Sequence, residues 1–335
     1  MLLRSRRRAS RQNGELPSVE RLRAEIDELA SAELAEPSAE RQQRLVYLRH
    51  LAGIQLLEHS GGAQFAQPDP HVLPLGEPLP EIRPENLTPG LLRAGILRDG
   101  CVLVRGLVPP EEAVELAAGI DSAFLERERS DTNEPHDDSL YREFSPRPPF
   151  DEIERGWIKL SGGVLACDSP KLNFELMRLF GAAGLPELVS GYLGEPALIS
   201  LQKTTMRRVE PTVKGGWHQD GFFLGEVRSL NLWLSLSRCG DESPGLDIVP
   251  RRLNDLLAGG SGELAFTISS EQVEQAAAEA PVIRPIFEPG DALFFDELFL
   301  HQTGSDPAMP RPRFAVENWF FGGSGFPGDY APLAV

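Results

Sequence analysis

Apolar residues between Ser18 and Glu58 recur at the spacing of one helix face, first as Val19, Leu22, Ile26 and Leu29 and then, after Pro37, as Leu45, Leu48, Leu51, Ile54 and Leu57. Charged residues fill the positions between them, which predicts two amphipathic helices. Ser60-Gly-Gly and the prolines from Pro68 to Pro84 break the pattern and predict a linker. Residues 91–97 then predict a short helix, and Cys101-Val-Leu-Val-Arg-Gly a compact strand closed by glycine. Pro109-Pro-Glu-Glu predicts a helix start. Proline lacks the N–H that a first turn leaves unpaired, and glutamate suits the positive end of the helix. That helix is expected to reach about Glu126, followed by a polar, proline-rich loop over 127–155. A helical stretch over 172–193, interrupted between Gly181 and Pro186, completes this half.

From Ala197 onward the period changes from helical to alternating. Leu198-Ile-Ser-Leu-Gln-Lys-Thr-Thr-Met predicts one strand. In Leu230-Asn-Leu-Trp-Leu-Ser-Leu-Ser the alternation is strict, with Leu230, Leu232, Leu234 and Leu236 on one face and Asn231, Trp233, Ser235 and Ser237 on the other. Further strands are expected at 246–249, 264–268, 282–287, 292–295 and 313–321, with Pro289-Gly-Asp as a tight turn. Short strands separated by Gly and Pro turns predict a mainly β sandwich or jelly roll with flanking helices. The boundaries expected are an N-terminal basic tail and helical extension over 1–80 and a β domain over 81–335. The default role for the two N-terminal helices is a cap or a contact between copies in a homo-oligomer.

Composition narrows the partners. The formal net charge of the 335 residues is -17, which repels phosphate backbones and anionic lipid, so neither nucleic acid nor membrane is an expected partner. No apolar run approaches the length of a membrane span. The three cysteines, Cys101, Cys167 and Cys239, are far apart and predict reduced, buried thiols in a cytoplasmic protein. The first eleven residues are Arg-rich without an apolar core, so they predict a solvated tail and not a secretory signal.

Chemistry concentrates in Gly215-Gly-Trp-His-Gln-Asp-Gly-Phe-Phe. His218 and Asp220 are two apart, and on a strand such residues share a face, so an imidazole and a carboxylate can reach one point. A third ligand is expected from His301, which ends an apolar run and, if buried there, needs a partner. Two histidines and one carboxylate leave three adjacent metal positions open, which suits Fe(II) and O2. The other four of the six histidines have no evident convergent partners. A dicarboxylate that chelates such a metal buries its far carboxylate, and arginine answers that need with a forked, permanent charge. Arg311 and Arg313 follow His301 by ten and twelve residues, and both remain candidates. Arg313 is favoured because it opens an apolar strand and therefore has a fixed direction. Trp217, Phe222 and Phe223 flank the ligands as pocket walls or plain core. Lys203, Arg207 and Arg208 form a local basic group that could meet an acidic substrate.

The order of Trp-His-Gln-Asp-Gly, a Trp-containing strand, Gly-Leu-Asp-Ile-Val-Pro, a Pro-Gly-Asp turn, His-x-x-Gly and a Pro-Arg strand resembles the phytanoyl-CoA dioxygenase family over about residues 95–322. The resemblance implies a double-stranded β-helix core, Fe2+ as metal, and 2-oxoglutarate and O2 as co-substrates. It implies decarboxylation to succinate and CO2, coupled to oxidation of a C–H bond in a small organic substrate. It carries the metal-ligand role to His218, Asp220 and His301 and the 2-oxoglutarate arginine to Arg313. It places Gln202 near the co-substrate, with Asn231 and Ser235 as further candidates for co-substrate or substrate. Related halogenases lack the carboxylate that Asp220 supplies, which favours hydroxylation. This chain departs from the family in reading Pro250-Arg-Arg-Leu where Pro-Gly-Ser-His is common, and in its His-to-Arg spacing. A cupin-type hydrolase or isomerase, and a non-catalytic metal-binding jelly roll, are the competing readings. Specificity is expected in the loops 127–165 and 222–229.

Overall fold

A computed structural model describes residues 16–71, 73–74, 79–213, 215–225, 227–259 and 266–335. The basic tail lies outside these residues, as does the Leu264–Ala265 start of one expected strand; Phe266 to Ile268 of that strand are turn and coil. In chain order the elements are α1 (Val19–Ala35), α2 (Ala39–Glu58), β1 (Glu81–Ile82), α3 (Pro89–Asp99), β2 (Cys101–Val104), α4 (Pro110–Asp131), α5 (Gly156–Leu160), β3 (Gly163–Leu165), α6 (Pro170–Ala182), α7 (Leu185–Leu193), β4 (Ala197–Ser200), β5 (Thr205–Val209), β6 (Leu230–Ser235), β7 (Gly245–Ile248), α8 (Ser270–Ala276), β8 (Ala292–Asp296), β9 (His301–Gly304), β10 (Arg313–Gly322) and β11 (Pro332–Ala334). These elements form two compact units, one from 1–64, 118–206 and 318–335 and the other from 65–117 and 207–317.

The first unit is helix-rich. Ser18 and Ser38 cap α1 and α2 by accepting from the N–H of Arg21 and Arg41. The predicted apolar faces meet in one cluster, with Leu22 and Ile26 of α1 against Leu45, Leu48 and Leu51 of α2 and Ala334 of β11. A Cβ on Gly53 would lie 3.0 Å from the Pro332 backbone, so α2 packs directly on β11. β11 pairs antiparallel with β4, and β4 with the last three residues of β10. The long strand expected from Leu198 is broken at Leu201–Lys203. The Thr204 hydroxyl donates to the Ser200 carbonyl at 2.9 Å and turns the chain there. α4 runs past Glu126 to Asp131, and part of the expected 127–155 loop is therefore helix.

The second unit is a pair of facing sheets. β1 pairs parallel with β2, β2 antiparallel with β8, and β8 antiparallel with β6. The Leu236 N–H donates to Phe314 O at 3.0 Å and joins the end of β6 to the start of β10. Opposite, β7 pairs antiparallel with β9, and single bridges add His218 beside His301 and Ile283 beside Ile248. The expected strand at 282–287 is reduced to such bridges, at Ile283 and Phe287. Cys101, Leu103, Trp233, Leu246, Ile248, Phe287, Leu293, Phe295 and Ala315 fill the space between the sheets. This is the double-stranded β-helix of a jelly roll. Every residue of β6 is buried, so its polar face looks into the barrel and not to solvent.

Candidate metal centre

His218 and His301 are locked together by backbone before any ligand is considered. The His218 N–H donates to His301 O at 3.0 Å, and the His301 N–H donates back at 3.1 Å. The rings lie side by side with centroids 4.4 Å apart. This close approach depends on glycine: a Cβ on Gly215 would lie 2.6 Å from Thr303 O on β9. Asp220 is not on a strand. It opens a one-turn helix, Asp220–Phe223, held by the Gly221 N–H on Glu297 O at 2.7 Å. The i, i+2 spacing therefore works through an extended residue followed by a turn.

The three side chains converge. His218, Asp220 and His301 each offer a ligand atom, all within 4.8 Å of one another, and His218 Nε2 lies 3.7 Å from Asp220 Oδ1. Each imidazole is oriented through Nδ1, which lies 2.7 Å from Gly216 O in His218 and 3.1 Å from Phe299 O in His301. A carbonyl can only accept, so Nδ1 carries a proton in both rings, which leaves Nε2 as the ring nitrogen available to a metal. Burial, and secondarily the neighbouring His218, hold the His301 pKa at about 3, so its imidazole is neutral at ordinary pH. Asn231 Nδ2 donates to Asp220 Oδ2 and leaves Oδ1 facing His218. Gln219, between the two ligands, donates to Leu298 O at 2.7 Å and accepts from the Leu257 N–H at 2.8 Å.

The candidate arginines part company. Arg313 is fully buried and donates from Nη1 to Gly245 O at 3.1 Å. Its Nε and Nη2 have no hydrogen-bond acceptor among the described residues. Its guanidinium lies over the Trp233 ring, 5.2 Å from the centroid, and the Trp233 Nε1 is buried and likewise unmatched. Buried N–H groups of this kind are costly unless an acceptor reaches them, and a carboxylate is the acceptor that fits. Arg311, 68 % exposed, pairs instead with Glu242 at 2.8 Å. Gln202 accepts from Ala331 N–H at 2.9 Å and so anchors the C-terminal segment. The Ser235 hydroxyl donates to Ser237 O at 2.7 Å. Trp233 lies on the face of β6 that the alternation assigns to it, in phase with Asn231, but alternation alone gives no sign of a role for its indole N–H.

Neighbouring residues explain other sequence features. Arg252, part of the departure at Pro250-Arg-Arg-Leu, forms a buried ion pair with Asp296. Burial, then Glu297, raises the Asp296 pKa to about 6. Arg207 pairs with Glu317 at 2.8 Å and Arg208 with Glu210 at 2.9 Å. Lys203 lies over the rings of Trp157 and Trp319, each at 4.8 Å. Phe222 and Phe223 are exposed beside Asp220, whereas Trp217 packs against Val249, Ile268 and Leu300. All three cysteines are buried and unpaired, with burial raising each thiol pKa.

A jelly roll that gathers two imidazoles and a carboxylate, and that also buries a guanidinium with unmatched N–H groups, fits a class, the non-haem iron enzymes that use a keto-acid co-substrate. Residues 96–306 match the family described as Phytanoyl-CoA dioxygenase (PhyH), and the chain belongs to that family. It is accordingly a non-haem Fe(II)- and 2-oxoglutarate-dependent enzyme that uses O2. No curated protein matches the sequence. Among solved structures, EctD from S. alaskensis with bound Fe is 17 % identical, covering 80 % of this chain and 87 % of that one at a TM-score of 0.49. AviO1 from Streptomyces viridochromogenes Tue57 is 20 % identical, covering 72 % and 98 % at 0.47. The epimerase SnoN, in complex with Fe3+, alpha ketoglutarate and nogalamycin RO, is 17 % identical, covering 70 % and 83 % at 0.45. Among the described residues no helix is long and apolar enough to cross a membrane.

Proposed function

We propose that the chain hydroxylates a C–H bond of a small organic substrate, converting 2-oxoglutarate and O2 to succinate and CO2, with one oxygen atom of O2 entering succinate and the other the product. The carrying observation is that Phe295 and Phe299, which contact the His301 ring, belong to the same buried cluster as Trp233, over whose ring the Arg313 guanidinium lies with N–H groups unmatched. His218, Asp220 and His301 hold the metal in this reading. Fe(II), when bound, supplies the redox centre at which O2 and the keto acid react. The carbonyls of Gly216 and Phe299 orient both rings through Nδ1 and leave Nε2 as the nitrogen for the metal. Asn231 fixes the carboxylate, so that Asp220 binds through one oxygen. Arg313 and Trp233 take the far carboxylate of 2-oxoglutarate, the arginine by charge and the indole by its N–H. Phe295 and Phe299 pack on the His301 ring, with centroids 5.0 and 6.0 Å away, and exclude water behind it. The carboxylate of Asp220 occupies the position a halide would need, which supports hydroxylation over halogenation.

The test is a screen of small organic compounds for stimulated succinate release, run beside His218→Ala. One compound should raise succinate and gain an oxygen atom in equal amounts. Turnover to an isomer, with no oxygen gained, would turn the reading to epimerisation. Equal succinate from His218→Ala would end it.

A further inference from the structure

Glu317 follows Arg313 by four residues on β10, so both side chains leave the same face of the strand, with only the small Ala315 between them. Their tips approach: Arg313 Nη2 lies 3.8 Å from Glu317 Oε1, while Arg207 Nη1 donates to Glu317 Oε2 at 2.8 Å. One carboxylate thus stands between two guanidiniums. Exposure falls from 31 % at Glu317 to 13 % at Arg207 and 0 % at Arg313. Burial would raise the Glu317 pKa, but Arg207 and then Arg313 outweigh it, so the carboxyl sits below its usual range and is ionised. Two positive charges and one negative leave one positive charge over, and it resides at the buried end, where Arg313 has N–H groups without acceptors.

The distances are unequal in a way that matters. Arg207 holds Glu317 in a direct ion pair, whereas Arg313 feels the same carboxylate from beyond hydrogen-bond range. We propose that Arg207 and Glu317 are positioning residues that set co-substrate affinity: Glu317 competes with 2-oxoglutarate for Arg313, and Arg207 restrains that competitor. The inference rests on the reading of Arg313 as the co-substrate anchor. It makes the occupied slot electrically balanced, with two guanidiniums facing two carboxylates, one from Glu317 and one from the ligand.

Two conservative substitutions should then act in opposite directions. Glu317→Gln removes the competitor and should lower the Kd of 2-oxoglutarate roughly tenfold, the scale expected for one charge a few ångströms from a partly buried ligand. Arg207→Gln releases Glu317 toward Arg313 and should raise that Kd roughly tenfold. The double variant restores the charge balance and should return to within about threefold of the parent. The measurement is calorimetric titration of 2-oxoglutarate into anaerobic Fe(II)-loaded protein, with circular dichroism as the folding control. A merely structural ion pair would make both single variants weaker. That result, or no change in either, overturns the proposal. If Arg207→Gln does not fold, Glu317→Gln decides alone, and failure to tighten is the negative result. Arg313→Gln separates the two levels. Unchanged affinity there refutes the anchor reading itself, whereas lost affinity without tightening in Glu317→Gln refutes only the present inference.

Discussion

Asn231 holds one oxygen of Asp220 and thereby chooses which oxygen is left for a metal. Residues that orient a ligand through a hydrogen bond typically contribute about 10–100-fold in metal affinity. Asn231→Leu should therefore weaken Fe(II) or Mn(II) binding on that scale while leaving the fold intact, as read by competition with a chelator. Arg313→Gln should raise the Kd of 2-oxoglutarate at least tenfold, since a charge-assisted bond is worth about 1.5–3 kcal/mol. Arg311→Ala should change it less than twofold, because its ion pair with Glu242 is exposed and worth roughly 0–1 kcal/mol. These positions also mark what a sequence can convey. Arg313 and Arg311 are equally plausible by count, and only the strand direction favoured the first. Glu317 and Arg207 are 110 positions apart, and no local pattern announces their pairing.

At the scale of elements, period was informative and side-chain bonding was not. β6 was visible as an alternating run, β8 as a short apolar, aromatic run after a Pro-Gly-Asp turn, and α1 and α2 by helical spacing. β3 and β11 have three residues each, too few to show a period, and they exist because β4, β5 and their neighbours offer edges. His50 on α2 also went unread. Its Nδ1 lies 2.7 Å from Pro332 O and its Nε2 accepts from the Arg147 N–H at 3.0 Å, so the neutral ring satisfies both neighbours. Burial, opposed in part by the Pro332 carbonyl, lowers its pKa to about 4. The unfolded chain therefore takes up this proton first. The stabilisation is complete above pH ~6.5 and is lost as pH falls toward 4, about 3 kcal/mol in all. Denaturant unfolding between pH 7 and 4.5 should show a shallower slope for His50→Gln than for the parent. Because His301 titrates in both proteins, the difference isolates His50. Parallel curves would show that His50 does not carry the effect.

For the molecule as a whole, the site is built where distant segments meet: one bridge residue, one turn, one strand start and one strand interior, all in the 207–317 segment. Binding there should stabilise the fold by mass action, about 2.7 kcal/mol at a hundredfold excess over Kd. Fe(II) with 2-oxoglutarate should therefore raise the thermal midpoint more than either alone, and Arg313→Gln should lose the increment due to the keto acid. The jelly roll was legible from the spacing of its strands, and the His-Asp pair from its residue types, although it converges through a turn at Asp220 and not by strand alternation. The clamp on Asp220 and the charge balance at Arg313 were not, because they depend on which side chains the closed barrel brings face to face.

His218, Asp220 and His301 are proposed to share a single cation, and metal stoichiometry after anaerobic reconstitution tests this directly. One Fe(II) per chain is expected in the parent, and a small fraction of that in His218→Ala, Asp220→Ala and His301→Ala, each checked for native circular dichroism. Folded variants that retain one iron per chain would contradict it.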